Sequence, residues 1–182
     1  MVGMTDIADT PPTTPLPEGL DGDAPKLPAG MHPVLPAYRW VLRVQLMITW
    51  IPLLVGALVL DNVGFEDKPW QGYLSLAVGL LALAIVTLVP RRIYRRLGYL
   101  LNPKTLRVVR GWLFHTDTIV PLVRVQHLDV ARGPLDKLFG TASLVVHTAG
   151  THNSVVTLPG LDPVGAEAMR DRIREEVRTD WQ

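Results

Sequence analysis

The sequence predicts a two-helix transmembrane hairpin followed by a mainly-β (α+β) domain that one C-terminal helix closes. Three observations predict this fold class. Two long stretches without a charged residue, Val44–Leu60 and Pro69–Pro90, lie close together in the chain. Four arginines between residues 91 and 96 follow the second stretch. From residue 97 onward, short apolar segments alternate with turn residues and end in one amphipathic segment, which indicates antiparallel strands and a covering helix.

Residues 1–36 form an acidic, proline-rich tail with eight prolines and five acidic side chains. Such a segment buries too little apolar surface to offset the entropy of ordering it, so we expect the tail to be disordered. A signal peptide carries a basic region and a short apolar core near its start, and this tail has neither, so no cleaved signal is expected. Met31 is a second candidate start residue.

Residues 38–96 are predicted to form the transmembrane hairpin, with spans at about residues 41–60 and 70–90. Backbone polar groups in lipid must be hydrogen-bonded within their own segment, so apolar runs of this length cross a bilayer as helices. Tyr38, Trp40 and Trp70 lie near the ends of the spans, where aromatic residues suit the interface. The alternative is that both runs form buried helices of a soluble protein. The length of the two runs and the aromatic residues near their ends disfavour this alternative.

The basic residues predict the orientation of the hairpin, because they accumulate on the cytoplasmic side of a membrane. The connection Asp61–Pro69 carries three acidic residues and one lysine, so we place it outside the cell. Both termini of this multi-pass protein of the inner or plasma membrane are then cytoplasmic. The flanking arginines are also candidates for contact with anionic lipid headgroups, worth about 1 kcal/mol each. These membrane-anchor candidates are Arg39, Arg43, Arg91, Arg92, Arg95 and Arg96.

Residues 97–178 are predicted to form the β domain. Gly133 and Pro134 open a short helical turn, and its Leu138 and Phe139 are expected in the core under the sheet. Strands are expected at Leu97–Leu101, Thr105–Arg110, Trp112–Val120, Val123–Arg132 with a bulge, Ala142–Thr148 and Ser154–Leu158.

The C-terminal helix is predicted to cover this sheet. Asp162 and Pro163 give it an N-cap followed by proline at the first helical position. Its apolar residues recur at helical spacing, with Arg and Glu on the opposite face. This apolar stripe consists of Ala166, Met169, Ile173 and Val177.

The β domain, which follows a two-span hairpin, carries a series of short motifs. Their residues are Pro121, Arg124, Gln126, Gly133, Pro134, Leu135, Phe139, Gly140, Thr148 and Gly150. This series resembles the bacterial pleckstrin-homology (PH) membrane proteins of the YdbS type, over about residues 32–178 and without the proline-rich tail. The resemblance implies a small PH-like sandwich or barrel capped by the C-terminal helix. No enzymatic activity is established for that family as a class, and its members are thought to act in membrane-associated complexes.

Two groups of these motif residues have structural interpretations. Gly133, Gly140 and Gly150 are predicted at turn and cap positions that need a positive φ. Arg124 and Gln126 either form a surface recognition strip or brace the neighbouring loop through hydrogen bonds to backbone, and we favour the second.

The sequence excludes or disfavours several chemistries. The chain has no cysteine, which excludes disulfides, thiol catalysis and thiolate metal sites. Neither the histidines nor the serines show a metal-binding or nucleophilic spacing, so we expect no catalytic site, metal, cofactor or small-molecule substrate. Nucleic acid is disfavoured because no run of basic residues is interleaved with stacking aromatic residues.

The leading functional hypothesis is therefore a non-enzymatic, membrane-anchored PH-like interaction or scaffold module that faces the cytoplasm. Besides the lipid bilayer, the expected partner is a second copy or a related PH-domain membrane subunit. The alternative is a sensor of anionic lipid headgroups, because residues 91–182 hold fourteen basic and nine acidic side chains. A small membrane enzyme is a third, disfavoured hypothesis.

Overall fold

The computed structural model describes residues 25–65, 68–111, 115–149 and 155–179. Two long helices come first, and a β domain with two shorter helices follows them. The helices are α1 (Tyr38–Gly64), α2 (Tyr73–Arg96), α3 (Pro134–Phe139) and α4 (Pro163–Thr179). The strands are β1 (His32–Pro33), β2 (Gly98–Asn102), β3 (Thr105–Gly111), β4 (His115–Pro121), β5 (Val125–Ala131), β6 (Ala142–Thr148) and β7 (Val155–Leu161).

The helical hairpin, α1 with α2, leaves most of its surface uncovered. Both helices are long and apolar enough to cross a membrane, and only 11% of the most apolar stretch of either helix is buried. The helix α1 continues through Asp61 as far as Gly64, so the connection to α2 is shorter than the sequence predicts. The predicted pair of apolar helices is confirmed.

The strands of the β domain form two antiparallel sheets in the part of the chain that the structure describes. One sheet has the order β1-β2-β3-β4 and the other the order β5-β6-β7. The predicted bulge in β5 is confirmed, because the register with β6 shifts between Val125 and His127. The core lies between the sheets and under α4, and Ile173 of α4 is fully buried in it. The predicted PH-like fold with a C-terminal covering helix is therefore confirmed.

The predicted disorder of the tail is wrong for residues 25–36. Here β1 pairs with β2, and the amide N–H of Lys26 donates to the carbonyl of Arg95 at 2.8 Å. Val34 is buried in the core of the β domain. The composition of the whole tail gives no indication that this segment is ordered. Its backbone pairs with the edge of β2, and its apolar Val34 packs into the core. Residues 1–24 lie outside the described residues.

The predicted burial of Leu138 is also wrong. Its side chain is 73% exposed, and Phe139 is only partly buried. The spacing correctly indicates a helix here, but this helix has six residues and packs against α1 rather than under a sheet. None of the six side chains of this short helix is fully buried: Leu135 and Phe139 are partly buried, and Leu138 is exposed.

Candidate functional site at the base of the hairpin

The anchor residues of α1 stack on aromatic rings at the base of the hairpin, the end where both helices meet the β domain. The guanidinium carbon of Arg39 lies 5.0 Å from the ring centre of Tyr94 on α2. The guanidinium carbon of Arg43 lies 4.6 Å from the ring centre of Trp40. Such cation–π contacts hold the charge beside apolar surface without burying it. Arg39 thereby ties the start of α1 to the end of α2.

The four remaining anchor residues occupy the last turns of α2. Arg91, Arg92 and Arg96 are exposed, and Arg95 is half-buried. Positive charge at a helix C-terminus complements the helix dipole, which stabilises this end of α2. The Nε of Arg95 is buried and has no hydrogen-bond partner among the described residues. The six arginines therefore lie at the base of the hairpin, and their role as membrane anchors stays a prediction.

The β domain is fixed to this base by three direct connections. The amide N–H of Leu35 donates to the carbonyl of Gly160 at 2.7 Å. Gly160 has a φ of +75°, and a Cβ there would lie 2.8 Å from Cγ of Tyr38. On the other side, Leu97 alone separates α2 from β2, and its side chain is buried. The hairpin and the β domain are therefore joined without a flexible linker.

A cleft of about 280 Å³ lies between α1 and the β domain. Its lining mixes apolar side chains with the polar groups of Gln45, Asp136 and Ser143. The carboxylate of Asp136 accepts hydrogen bonds from the Gly133 amide at 3.0 Å and from the Thr141 hydroxyl at 2.7 Å. The acid is therefore engaged in the loop itself, and its structural role is to fix α3 beside α1.

Half of the family-motif residues build this α3 segment. Gly140 ends the helix in the left-handed region with a φ of +66°, as predicted. Gly133 has a φ of −70°, so its predicted positive φ is wrong. Glycine is favoured there because a Cβ would lie 3.3 Å from Oδ2 of Asp136. Pro134 and Leu135 line the cleft, and Phe139 is the last helical residue.

The other motif residues lie at the far end of the β domain, around the 3-10 turn Leu122–Arg124. Thr148 pairs with Val125, and the carbonyl of Arg124 accepts from the Ala149 amide at 2.9 Å. The side chains of Arg124 and Gln126 are exposed, which leaves both interpretations of this pair open. Pro121 ends β4, and Gly150 lies outside the described residues. The motif thus marks the two opposite ends of the domain, not one site.

Two histidines that the sequence analysis considered as metal ligands come together on the outer face of β5 and β6. The Nε2 atoms of His127 and His147 lie 3.3 and 3.5 Å from the two carboxylate oxygens of Asp129. All three side chains are exposed. Within the described residues, no group of three or more such side chains has a geometry that could hold a metal ion.

The strand β4 is the last in its sheet, and no further strand pairs with it in the described part of the chain. Its side chains are mostly exposed, including the apolar side chain of Ile119, which is 59% exposed. One end of β4 is held by an ion pair in which Nε of Arg107 on β3 donates to Asp117 at 2.9 Å. This hydrogen bond holds the pKa of Asp117 below its ordinary value. As far as the described residues show, this edge is ordered and open.

The comparisons with known proteins agree with this architecture. The family model described as "Bacterial PH domain" matches residues 43–177, so the chain belongs to the bacterial PH-domain family, and the predicted resemblance is confirmed. The chain is 29% identical over 140 residues to the transmembrane protein YdbS of Bacillus subtilis (strain 168). That alignment covers 76% of this chain and 86% of the relative. No solved structure gives a significant match.

Proposed function

We propose that this membrane protein with a bacterial PH domain is a non-enzymatic interaction or scaffold module of a membrane complex. The open edge of β4 is the observation that supports this role most directly. An edge strand presents unpaired backbone groups, to which an extended segment of a partner adds as a further strand. Natural proteins block unused edges with charges. The charged residue of β4, Asp117, is already paired with Arg107 of the same sheet, and the exposed, apolar Ile119 follows it by two residues.

A photoreactive amino acid at Ile119 tests this proposal in intact membranes. We expect a discrete adduct with one second polypeptide, either another copy or a related PH-domain subunit. The matched control places the same group at Val164, which is 74% exposed but lies on α4. An adduct that forms equally well from both positions, or from neither, contradicts edge docking.

The proposed orientation places both termini in the cytoplasm and the connection between α1 and α2 outside. The exposed Arg91, Arg92 and Arg96 at the base of the hairpin support it through the positive-inside rule. Reporter fusions between residues 62 and 69 and after Gln182 test it. A periplasmic-type reporter that is active only at the C-terminus would show that the orientation is the opposite of the proposed one.

A second candidate function is a sensor of anionic lipid headgroups, which the ring of arginines at the base favours. Hydrogen exchange of the full chain in neutral and in anionic nanodiscs distinguishes the two roles. If the protein is a sensor, the rate of amide hydrogen exchange in the β domain must change with lipid charge. If it is a scaffold, the hairpin need only be protected from exchange in both kinds of nanodisc.

The hairpin offers a surface for association with another subunit. Small residues let helices approach closely in lipid. Those of the two spans include Gly56, Ala57, Gly79, Ala82 and Ala84. A Cβ at Gly79 would lie 3.6 Å from Leu54 on α1, whereas a Cβ at Gly56 would meet nothing within 4 Å. Gly56 therefore faces outward, and Gly79 faces the partner helix.

This difference separates assembly from hairpin folding. We expect Gly56→Leu to shift the protein toward monomer mass in native gels while its helix content stays unchanged. Gly79→Leu is the contrasting variant, since it pushes α1 and α2 apart. A wild-type protein that runs as a monomer at membrane-like concentrations would refute assembly through the hairpin.

A further inference from the structure

The short helix α3 lies at the level where α1 enters its uncharged stretch. That stretch begins at Val44, and the next residue, Gln45, lines the cleft between α1 and the β domain. Pro134, Leu135 and Asp136 of α3 line the same cleft. If α1 crosses a bilayer, α3 therefore lies at the boundary between headgroups and acyl chains, and not out in the solvent.

Leu138 is the one large apolar side chain of α3 that is exposed. Leu138 follows Leu135 by three residues, and residues at this spacing are neighbours on one side of a helix. At 73%, Leu138 is more exposed than any leucine of the hairpin that faces outward, such as Leu83 at 62%. Burying a leucine is worth about 1.5–3 kcal/mol, so a lipid environment at this position would stabilise the docked β domain.

The charges around Leu138 fit a lipid surface as well. Arg132 and Lys137 are exposed on the same segment. The acid of α3, Asp136, is turned inward, where it bonds to the Gly133 amide and the Thr141 hydroxyl. The segment of residues 132–138 therefore presents one large exposed apolar side chain and two exposed basic ones, a combination typical of segments that bind at a membrane interface.

We propose that α3 is a third membrane contact, in which Leu138 inserts at the headgroup level of the leaflet where α1 and α2 meet the β domain. Arg132 and Lys137 then face lipid phosphates on either side of it. The occupant around Leu138 is the bilayer itself, because α3 packs against α1 beside the start of its uncharged stretch. This inference rests on the proposed membrane anchoring, and it fixes the tilt at which the β domain presents the β4 edge.

Fluorescence quenching tests the inference on the full chain in nanodiscs that contain phosphatidylglycerol. The protein has no cysteine, so Leu138→Cys can be labelled at one position with an environment-sensitive fluorophore. Leu83→Cys on α2 is the control inside lipid. Val123→Cys is the control in water, since its 3-10 turn is bonded to the β2–β3 turn through Leu122 and Lys104, at the end of β2 away from α2. All three wild-type side chains are exposed, so labelling leaves the core intact.

We expect the label at 138 to be quenched by a spin label near the lipid headgroup, and several-fold less by aqueous iodide than the label at 123. The inference is overturned if iodide and spin-labelled lipid quench the label at 138 as they quench the label at 123, while spin-labelled lipid still quenches the label at 83. In that case the proposal that the hairpin anchors the protein in the membrane still stands. If the label at 83 is not quenched by lipid, the membrane anchoring itself fails.

The basic residues give a second, independent readout. In the Leu138→Cys background, Arg132→Gln with Lys137→Gln should increase iodide access to the label in anionic nanodiscs and change it little in neutral ones. Equal iodide access with and without these two charges, in both lipids, contradicts the role of Arg132 and Lys137.

Discussion

The hairpin and the β domain use apolar side chains in opposite ways. In the β domain, Leu106, Leu144 and Leu158 are fully buried against other residues of the chain. In the hairpin, Leu80 and Leu83 are 60% and 62% exposed, although the helices are the more apolar of the two regions. The comparison teaches that the β domain carries its own core, whereas the hairpin depends on lipid to cover its leucines.

The two ends of the hairpin differ in how exposed their charged groups are. The base of the hairpin holds its arginines where they reach water, and the far end holds one buried acid, Asp61, which is 2% exposed. Its Oδ2 accepts from the Ser75 amide at 2.7 Å and so caps α2, whose own N-cap residue gives no side-chain hydrogen bond. This hydrogen bond joins the two helices at that end of the hairpin.

The largest expected effect comes from a charge placed in the core of the β domain. Ile173→Asp should lower the free energy of unfolding by at least about 2–5 kcal/mol, because it removes a fully buried side chain and adds an unpaired charge. Thermal melts of the full chain in detergent, followed by circular dichroism, measure the change. Val164→Asp on the same helix is exposed and should leave the melt nearly unchanged. Equal effects of the two variants would contradict the conclusion that the β domain has its own core around Ile173.

The joint between the two regions should be the next most sensitive place. Gly160→Ala brings a Cβ within 2.8 Å of Tyr38 and keeps a positive φ. Gly140→Ala carries a similar φ but would meet nothing within 4 Å. Both variants are destabilised by backbone strain. The difference between their free energies of unfolding, about 1–3 kcal/mol, therefore reports the clash with the hairpin alone. Identical unfolding midpoints would show that the hairpin and the β domain do not share this contact.

Loss of the cap on α2 should have a smaller effect that is confined to the hairpin. Asp61→Ala leaves the Ser75 amide without its acceptor, which should cost about 0.5–2 kcal/mol. Helix content during a denaturing-detergent titration reports this loss. Asn62→Ala is the matched control, since Asn62 is exposed and only donates to a carbonyl of its own helix. A loss that appears equally in the β domain would mean that the cap acts beyond the hairpin.

The smallest effect concerns the β4 edge and depends on pH. The hydrogen bond from Arg107 lowers the pKa of Asp117 in the folded state. The pair therefore stabilises the fold above the ordinary carboxyl pKa of about 4, and this contribution is lost as the pH falls through the lowered value. Asp117→Asn should be slightly less stable than wild type near pH 7 and equal to it at strongly acidic pH.

Parallel acid titrations of the unfolding midpoint measure this difference. Glu167→Gln on the exposed side of α4 is the matched control. A gap between wild type and Asp117→Asn that stays constant, or that widens toward low pH, contradicts the assigned role of the ion pair.

The parts of the fold that could be predicted from the sequence are those that a local pattern encodes. Run length and charge indicate α1 and α2, because lipid demands long uncharged helices. Helical spacing places Ile173 and Ala166 on one face of α4, and both are fully buried. The arginines at the base follow from charge alone.

What the sequence did not predict depends on contacts between distant segments. Val34 packs into the core, and the adjacent β1 pairs with the edge of β2; neither contact is visible in the composition of a proline-rich tail. Leu138 is exposed because α3 packs on α1 and not under a sheet. The approach of Tyr38 to Gly160 has a weak local signal, a glycine near the end of the last strand, but no local signal for its partner.

The single residue between α2 and β2 has a mechanical consequence. Leu97 is buried and is the only residue between the two elements, which leaves little freedom for the first sheet to turn relative to α2. A transmembrane helix that is longer than the local hydrocarbon thickness adapts by tilting. We therefore expect a change in the tilt of α2 in a thinner bilayer to change the orientation of the β4 edge as well.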